Sequence, residues 1–279
     1  MAAILLSPRY RAGPEWYAGV SGARQVDFMI IGVQKGGTTA LASFLAAHPQ
    51  LTMAEGKEVH LFDSPDYSPT WTVADIDASY ARYFPGLPND KRGQLCGEAT
   101  PIYLYWPEIA EQLYRYNPEL KLLVLLRDPV ERAISHYAME YRRGNEQRSL
   151  AVALLLERFR LNRSSGRGES SFRRIHSYLD RGKYAQQLAV LRRYFSDDQL
   201  LILDNSELQG QHGLTLRRVF AFLGVDDSVS IPAEKIFEGG NKPAPVVLKW
   251  LLRIYFYRHN CRLKSLLAEM GMKVGGAWI

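Results

Sequence analysis

The sequence predicts an α/β domain in which helices flank a central, mainly parallel sheet. Strand-like and helix-like segments alternate along the chain, which is typical of sheets with parallel strands. Residues 121–126 form an almost continuous apolar run, as in a central strand that is buried on both faces. With 279 residues, the chain is long enough for a single domain of this kind with a full core.

The individual elements follow from apolar periodicity and from turn residues. Strands are predicted at residues 28–31, 51–53, 94–98, 121–126 and 199–203. Helices are predicted at residues 38–47, 76–83, 106–116, 129–141, 150–161, 183–194, 214–223 and 246–270. Pro129 suits the first turn of its helix, and Gly224 suits a helix C-terminus. Residues 1–26 are expected to be an irregular lead-in, and residues 27–279 to form the domain.

The charge of the chain favours an anionic ligand. Lys and Arg total 35 against 29 Asp and Glu, a formal net charge of +6. Residues 142–193 hold 13 Lys or Arg and 4 Asp or Glu, an excess of nine positive charges. Solvated helix faces explain most of these charges, and the modest total does not by itself indicate nucleic acid. Some of them are expected to attract an anionic acceptor or a nucleotide.

The cysteines and the apolar segments favour a cytoplasmic protein. Cys96 and Cys261 are far apart, and Cys96 lies in a predicted strand, so both are expected to be reduced. The first six residues are too short for a signal peptide, and no uncharged run reaches the roughly 20 residues of a membrane helix. The basic, amphipathic helix at residues 246–270 is expected to pack on the domain rather than to lie on a membrane.

A glycine-rich turn joins the first strand to the first helix. Gly32 and Gly37 have the spacing of the two glycines in a Walker A loop. Thr38, however, stands where that loop has its lysine, and Lys35 lies inside the turn. An ordinary turn would explain the glycines alone. Lys35 with Thr38 and Thr39 at the helix start favours a site for a single 5′-phosphate, since a helix N-terminus attracts anions.

This turn resembles the 5′-phosphosulfate loop of sulfotransferases that use 3′-phosphoadenosine 5′-phosphosulfate (PAPS). The resemblance rests on the run Val-Gln-Lys-Gly-Gly-Thr-Thr at residues 33–39. It is closer to the carbohydrate branch, such as heparan sulfate sulfotransferases and their bacterial relatives. The resemblance implies a P-loop-like sulfotransferase fold. The residues that it implies for binding PAPS are Gln34, Lys35, Gly36, Gly37, Thr38 and Thr39.

A second motif follows the first helix. Glu58 and His60 alternate with apolar residues, so in an extended segment they share a face and offer a base with a charge partner. By itself such a pair is often only a surface couple. The segment from Glu58 to Asp63 is similar to the Glu-x-His-Phe-Phe-Asp stretch of heparan sulfate 3-O-sulfotransferases. That resemblance implies that Glu58 is the catalytic base and that His60 and Asp63 support it.

A third segment, at residues 98–103, departs from the family at one position. It reads Glu-Ala-Thr-Pro-Ile-Tyr and resembles the family's Glu-Lys-Thr-Pro-x-Tyr. Ala99 replaces a lysine that, in the 3-O-sulfotransferases, helps the reacting centre. The replacement leaves the acceptor open, and Lys57 is a candidate for supplying a charge instead.

Later residues resemble the family's site for the 3′-phosphate end of the donor. Arg127 ends a predicted strand, and Ser135 lies on the helix that follows. A guanidinium fork and a hydroxyl group both suit a phosphate. Tyr184 falls in a Gly-x-Tyr segment that lies near the donor in the family. Asn241 and Lys242 occupy the loop that, in the family, closes over the 3′-phosphate end.

Together these motifs predict a PAPS-dependent sulfotransferase that needs no metal. Glu58 would take a proton from a hydroxyl group, or an amine, of a glycan, glycolipid or other small acceptor, which attacks sulfur in line. Lys35 and the loop N–H groups would stabilise the charge on departing 3′-phosphoadenosine 5′-phosphate (PAP). The expected partners are PAPS or PAP and the acceptor, and not nucleic acid.

Two other classes of protein stay open at this point. A nucleotide kinase with a degenerate P-loop would need Mg²⁺ and a triphosphate, and Thr38 in place of lysine argues against it. A non-catalytic module that binds an anionic polymer such as nucleic acid would have no need of Glu58 and His60.

Overall fold

The computed structural model describes residues 25–56, 58–85, 94–164, 166, 168, 170–233 and 244–278. Most of the expected lead-in lies outside the described residues. So do Lys57 and two of the expected donor-binding residues, Asn241 and Lys242. Within the described part of the chain, helices cover both faces of one sheet, as the sequence predicts.

Five parallel strands form the sheet. They are β1 (Phe28–Gly32), β2 (Leu51–Met53), β3 (Leu95–Ala99), β4 (Lys121–Leu126) and β5 (Leu200–Asp204). Their order is β2-β3-β1-β4-β5, and each neighbouring pair is parallel. The chain adds β2 and β3 on one side of β1 and then crosses to add β4 and β5 on the other. In open parallel sheets, ligands bind at the carboxyl ends of the strands where such a reversal occurs. That rule points to the edge of the sheet between β1 and β4.

The helices lie close to their expected positions. They are α1 (Thr38–Ala46), α2 (Val73–Ala81), α3 (Pro107–Tyr116), α4 (Pro129–Arg142), α5 (Leu150–Asn162), α6 (Phe172–Ile175), α7 (Tyr184–Leu191), α8 (Asn205–Gly210), α9 (His212–Leu223) and α10 (Val246–Glu269). The sequence did not predict α6 and α8, which are too short to show a helical period. Gly224 ends α9 with φ 81°, as expected of a C-terminal glycine.

The start of α2 differs from its expected position because of a capping box. The sequence pattern placed the start at Ile76, whereas the helix begins at Val73. The Thr72 hydroxyl accepts a hydrogen bond from the Asp75 N–H at 3.3 Å. The Asp75 carboxylate accepts one from the Thr72 N–H at 2.8 Å. These two bonds satisfy N-terminal donors and extend the helix by one turn.

Alternate side chains of the central strands enter two different cores. Phe28 and Ile30 pack with apolar residues of α1 and α9, whereas Met29 and Ile31 pack with those of α3 and α7. Successive side chains of a strand point to opposite faces, so an apolar run of this kind needs cover on both sides. Cys96 is buried in the second core, and it is a free thiol, as expected.

The C-terminal helix α10 packs on the domain with one of its faces. The buried side chains are Leu252, Phe256, Leu263 and Leu267. The Lys249 ammonium group lies 2.8 Å from the Glu131 carboxylate and ties α10 to α4. The other face exposes large apolar side chains, among them Trp250 and Ile254. Among the described residues, no helix combines the length and the apolar character needed to cross a bilayer.

Close packing between β3 and β1 sets a steric limit at Gly97. A Cβ atom at Gly97 would lie 2.1 Å from the ring of Phe28, which is fully buried. We therefore expect Gly97→Ala to lower the free energy of unfolding by about 1–3 kcal/mol, as overpacking does, in urea denaturation. Gly213→Ala on α9 is the control, because no atom lies within 4 Å of its Cβ position. Equal stability of the two variants would contradict the close packing.

Candidate active site

The glycine loop, residues 33–37, joins β1 to α1 and lies against the end of β4. The Val33 N–H donates to the Leu125 carbonyl at 3.0 Å, and the Gly36 N–H donates to the Val33 carbonyl at 2.8 Å. A Cβ atom at Gly36 would lie 2.4 Å from the Leu125 oxygen, so only glycine fits there. Gly37 has φ 99°, a conformation that glycine adopts without strain. The loop is therefore a tight cradle lined by backbone.

Side chains that follow two other strands hold the loop carbonyls. Arg127, after β4, donates from Nη1 to the Lys35 carbonyl at 3.0 Å. Asn205, after β5, donates from Nδ2 to the Gly36 carbonyl at 2.8 Å. The sequence pattern pointed to Arg127 but not to Asn205. Its position just after a predicted buried strand was the available signal, because the carboxyl ends of parallel strands meet at one edge of the sheet.

The N-terminus of α1 fits an anion. Within the described chain, no side chain caps this helix, and its first turn has no acidic residue. The first N–H groups of a helix have no partner inside the helix, and the macrodipole adds partial positive charge there. Thr38 is buried and Thr39 is exposed at this end, with Lys35 three residues before Thr38. Backbone, dipole and ammonium group together suit one phosphate-like group.

A buried tyrosine supports Arg127. Tyr184, on α7, is 1 % exposed, and its hydroxyl donates to the Arg127 carbonyl at 2.8 Å. Its hydroxyl thus binds protein backbone and fixes the strand end that carries Arg127. Ser135 is buried on α4, the helix that begins two residues after Arg127. Of the residues expected to bind the 3′-phosphate, the structure brings Arg127 to the glycine loop and places Ser135 on the adjoining helix.

Glu58, His60 and Asp63 form one chain of hydrogen bonds after β2. His60 Nε2 lies 3.0 Å from Glu58 Oε2, and His60 Nδ1 lies 3.1 and 3.0 Å from the two Asp63 oxygens. The condition of an extended backbone is not met at His60, which has φ 55°, and residues 58–61 belong to no strand. The three side chains meet because the backbone turns at His60.

The two carboxylates set the charge of His60. Burial lowers the pKa of His60, but the hydrogen bonds and charges of Asp63 and Glu58 outweigh it and raise this pKa to about 9. Burial also raises the pKa of Asp63, yet hydrogen bonds and charges from His60 and Arg174 bring it below its ordinary value. At neutral pH an imidazolium cation therefore lies between two carboxylates.

Arg174 is a further member of the site, and the sequence motifs do not include it. It lies on α6, and its Nη2 is 2.5 Å from Asp63 Oδ2 and 3.3 Å from the Asp63 carbonyl oxygen. The Asp63 side chain is fully buried, so a second cation offsets the cost of removing its charge from water. Arg174 is one of 13 basic residues in the region 142–193, and no local pattern distinguishes it there.

The end of β3 supports residues 58–63. The Thr100 hydroxyl accepts hydrogen bonds from the Val59 and His60 N–H groups at 3.1 and 3.3 Å. It donates in turn to Glu98 Oε2 at 2.8 Å, and the Tyr80 hydroxyl donates to Glu98 Oε1 at 2.9 Å. Burial raises the pKa of Glu98 to about 7 although both hydroxyl donors lower it. Glu98 and Thr100 thus hold the backbone on which the expected base lies.

A cleft of about 600 Å³ opens beside this chain of hydrogen bonds. His60, Asp63 and Arg174 lie in its wall. Residues 64–83 supply most of the remaining lining, including the side chains of Tyr67, Trp71, Arg82 and Tyr83. The cleft therefore combines aromatic surface with guanidinium groups. The described residues hold no group of three or more His, Cys, Asp or Glu arranged for a metal ion.

The contacts of His60 lead us to expect a specific titration. The wild-type ring should titrate in NMR spectra with a midpoint near pH 9, and His60→Gln assigns the signal by its loss. Asp63→Asn keeps the shape but removes a negative charge, so the midpoint should fall towards 6.5. Since the folded pKa lies above the unfolded one, the stability from this group is complete below about pH 6.5 and is lost as the pH rises through about 9.

Asp66→Asn is the matched control for this titration. Asp66 also lines the cleft, but the carboxylates that raise the pKa of His60 are those of Asp63 and Glu58. The His60 midpoint should be the same in this variant as in the wild-type protein. If the His60 midpoint is the same in Asp63→Asn as in the wild-type protein, the Asp63 carboxylate does not raise the pKa of His60.

Comparisons with known proteins agree with this geometry. The family described as sulfotransferase domain matches residues 25–238. Heparan sulfate glucosamine 3-O-sulfotransferase 3B1 of Mus musculus is 31 % identical over 239 residues, which are 82 % of this chain and 56 % of that protein. The 3A1 enzyme of the same organism is 32 % identical over 226 residues, 77 % of this chain and 52 % of that protein. The chain thus spans about half the length of these curated relatives.

A solved structure extends the likeness to three dimensions. The sulfotransferase from Alicyclobacillus acidocaldarius has a TM-score of 0.72 and 26 % sequence identity, over 91 % of this chain and 99 % of that one. The sulfotransferase domain from the curacin biosynthetic pathway, at 13 % identity and a TM-score of 0.50, shares the fold alone. The family match covers most of the chain, and it includes both the glycine loop and the segment from Glu58 to Asp63. The chain therefore belongs to the sulfotransferase domain family.

Proposed function

We propose that this protein transfers a sulfuryl group from PAPS to a hydroxyl group of a glycan-like acceptor. The observation that carries the proposal is a pair of features at the carboxyl edge of one sheet. The glycine loop follows β1 and offers Lys35 with an uncapped helix N-terminus. The segment from Glu58 to Asp63 donates backbone hydrogen bonds to the hydroxyl of Thr100, which follows β3, the neighbour of β1. A simple anion binder has no need of the second feature.

The glycine loop is proposed to hold the 5′-phosphosulfate of the donor. The N–H groups at the start of α1 and the Lys35 ammonium group would bind the phosphate from which sulfur departs. Arg127 and Ser135 are proposed to bind the 3′-phosphate, completed by Asn241 and Lys242 from outside the described residues. Arg127 also bonds the Lys35 carbonyl, so this arginine would join the two phosphate sites.

In the proposed reaction Glu58 takes the proton of the acceptor hydroxyl while its oxygen attacks sulfur. A new oxygen–sulfur bond forms, the bond between sulfur and the 5′-phosphate oxygen breaks, and PAP leaves with that electron pair. Lys35 and the loop N–H groups stabilise the charge that develops on PAP. The His60 imidazolium bonds Glu58 Oε2 and thereby orients the carboxylate, so that Oε1 can face the acceptor.

The cleft beside His60 supports a saccharide acceptor. Aromatic side chains such as Trp71 suit the apolar face of a sugar ring, and the Arg82 guanidinium suits an acidic substituent. By their names, both curated relatives act on heparan sulfate glucosamine. Ala99 is buried with the α1 side of the core, so this position offers the acceptor no charge.

Label transfer from radioactive PAPS tests the proposal directly. We would offer heparan sulfate, a neutral glycolipid and a simple phenol as separate acceptors, with PAP binding measured by calorimetry. Label in either of the first two supports the proposed function. Label in the phenol alone would overturn the proposal that the acceptor is a glycan. The absence of both transfer and PAP binding would overturn the sulfotransferase assignment.

Lys35→Ala should abolish most turnover and weaken PAP binding, because it removes the ammonium group that the glycine loop offers to the phosphate. A charge-assisted hydrogen bond contributes about 1.5–3 kcal/mol, so the affinity should fall roughly 10- to 100-fold in calorimetry. Lys264→Ala, at an exposed position of α10, is the control for loss of one lysine and should bind PAP normally. An unchanged PAP affinity in Lys35→Ala would refute the phosphosulfate site.

Glu58→Gln should bind PAP normally and lose activity, because it keeps the shape of the side chain and removes the base. A positioned general base contributes about 10²–10⁴-fold in rate, and single-turnover label transfer measures this loss. Glu111→Gln, on the exposed face of α3, controls for the change of charge. Near-normal transfer by Glu58→Gln would refute the assignment of Glu58 as the general base. A loss below this range is expected only for an amine acceptor that is already neutral.

A further inference from the structure

We propose that Arg174 is a positioning residue that couples the glycine loop to the general base, an inference that rests on the proposed sulfotransferase function. A continuous run of contacts connects the loop with the base. Its members, in order, are Gln34, Arg181, Arg174, Asp63, His60 and Glu58. The two ends of the run lie in separate loops, and residues 172–182 join them.

Arg181 anchors the donor end of the run. This side chain is 3 % exposed, and its Nη1 donates to Gln34 Oε1 in the glycine loop. Its Nη2 donates to the Arg174 carbonyl at 2.6 Å, and its Nε donates to the Ser177 hydroxyl at 2.7 Å. The guanidinium also lies over the ring of Tyr105, 4.8 Å from the centroid. Through these contacts the Arg181 side chain connects the segment that carries Arg174 to Gln34 of the glycine loop.

Arg174 anchors the acceptor end of the run. Its backbone carbonyl bonds Arg181, whereas its guanidinium bonds the buried Asp63 carboxylate at 2.5 Å. Asp63 in turn bonds His60, which bonds Glu58. One residue therefore joins the loop to the base, through its backbone on one side and its side chain on the other. Truncating the side chain breaks the second connection and leaves the first in place.

In-line transfer makes this connection useful. The acceptor oxygen, the sulfur and the departing oxygen must align, with reacting atoms about 3–3.5 Å apart. The glycine loop would position the sulfur, and Glu58 would position the attacking oxygen. The two come from different parts of the chain, so their separation is set by whatever rigid structure joins them. Thr100 fixes the backbone of residues 58–63, and the run through Arg174 fixes the orientation of their side chains relative to the loop.

Arg174→Ala should reduce kcat by up to about 100-fold, the loss expected from a misplacement of about 1 Å. The KM for PAPS and the affinity for PAP should stay nearly unchanged, because the loop is intact. Arg174→Lys keeps a cation beside Asp63 and should recover part of kcat. Arg192→Ala is the matched control, since Arg192 forms a similar pair with Asp197, at 2.8 Å, outside this run. It should transfer label like the wild-type protein.

A double-mutant cycle distinguishes coupling from separate local effects. Gln34→Ala breaks the run at the loop, and Arg174→Ala breaks it at Asp63. If the run couples the two sites, the double variant should lose little more activity than the worse single variant. Losses that multiply would overturn the inference, and so would a kcat of Arg174→Ala equal to that of Arg192→Ala. Should Arg174→Ala fail to fold in circular dichroism, Arg174→Lys replaces it in the cycle.

Hydrogen exchange provides a measurement that needs no acceptor. PAP binding should slow amide exchange in residues 58–63 of the wild-type protein, and Arg174→Ala should reduce this protection although PAP still binds. Equal protection in both proteins would count against the coupling. If the wild-type enzyme is active but the losses of the two single variants multiply in the double variant, this inference is refuted and the proposed function is not. A wild-type protein that neither binds PAP nor transfers label refutes the proposed function, and this inference with it.

Discussion

The glycine loop lies so close to the carboxyl end of β4 that no side chain fits at Gly36, and the rest of the site depends on this contact. The sheet, through the Leu125 carbonyl, dictates the path of the loop and therefore where α1 begins. Arg127 and Asn205 complete the arrangement by bonding the loop carbonyls from neighbouring strand ends. The donor site proposed at this loop would be organised before its ligand arrives, which reduces the cost of reorganisation during a reaction.

Residues 58–63 are held differently, because they belong to no strand or helix. The backbone N–H groups of Val59 and His60 donate hydrogen bonds to the Thr100 hydroxyl. The polar side chains of residues 58–63 bond each other, and Asp63 also bonds Arg174. Two buried carboxylates in this region have opposite pKa shifts for clear reasons. Asp63 is bonded by two cationic groups, which lower its pKa despite burial. Glu98 accepts hydrogen bonds from the uncharged hydroxyl groups of Thr100 and Tyr80, and burial outweighs them and raises its pKa to about 7. Environment rather than residue type sets the charge.

Local patterns predicted the elements where apolar periodicity is strong. The β4 bounds were correct because a strand buried on both faces is apolar at nearly every position. The start of α2 was misplaced because its first turn depends on a side-chain capping box and not on apolar residues. His60 was considered in an extended segment, whereas a left-handed turn brings it between two carboxylates. Alternation of polar and apolar residues does not distinguish a strand from such a turn.

The sequence by itself determined the fold class, the glycine loop and the motif that holds Glu58, His60 and Asp63, since each is encoded by residues close together in the chain. Only the tertiary structure decided which cation accompanies Asp63 and which amide bonds the Gly36 carbonyl. Arg174 lies 111 residues from Asp63, and Asn205 lies 169 residues from Gly36. Both contacts exist because folding brings strand ends and connecting segments to one edge of the sheet. Folding also buries titratable groups and thereby sets the charge of each of them, because solvent exposure is a property of the packed chain.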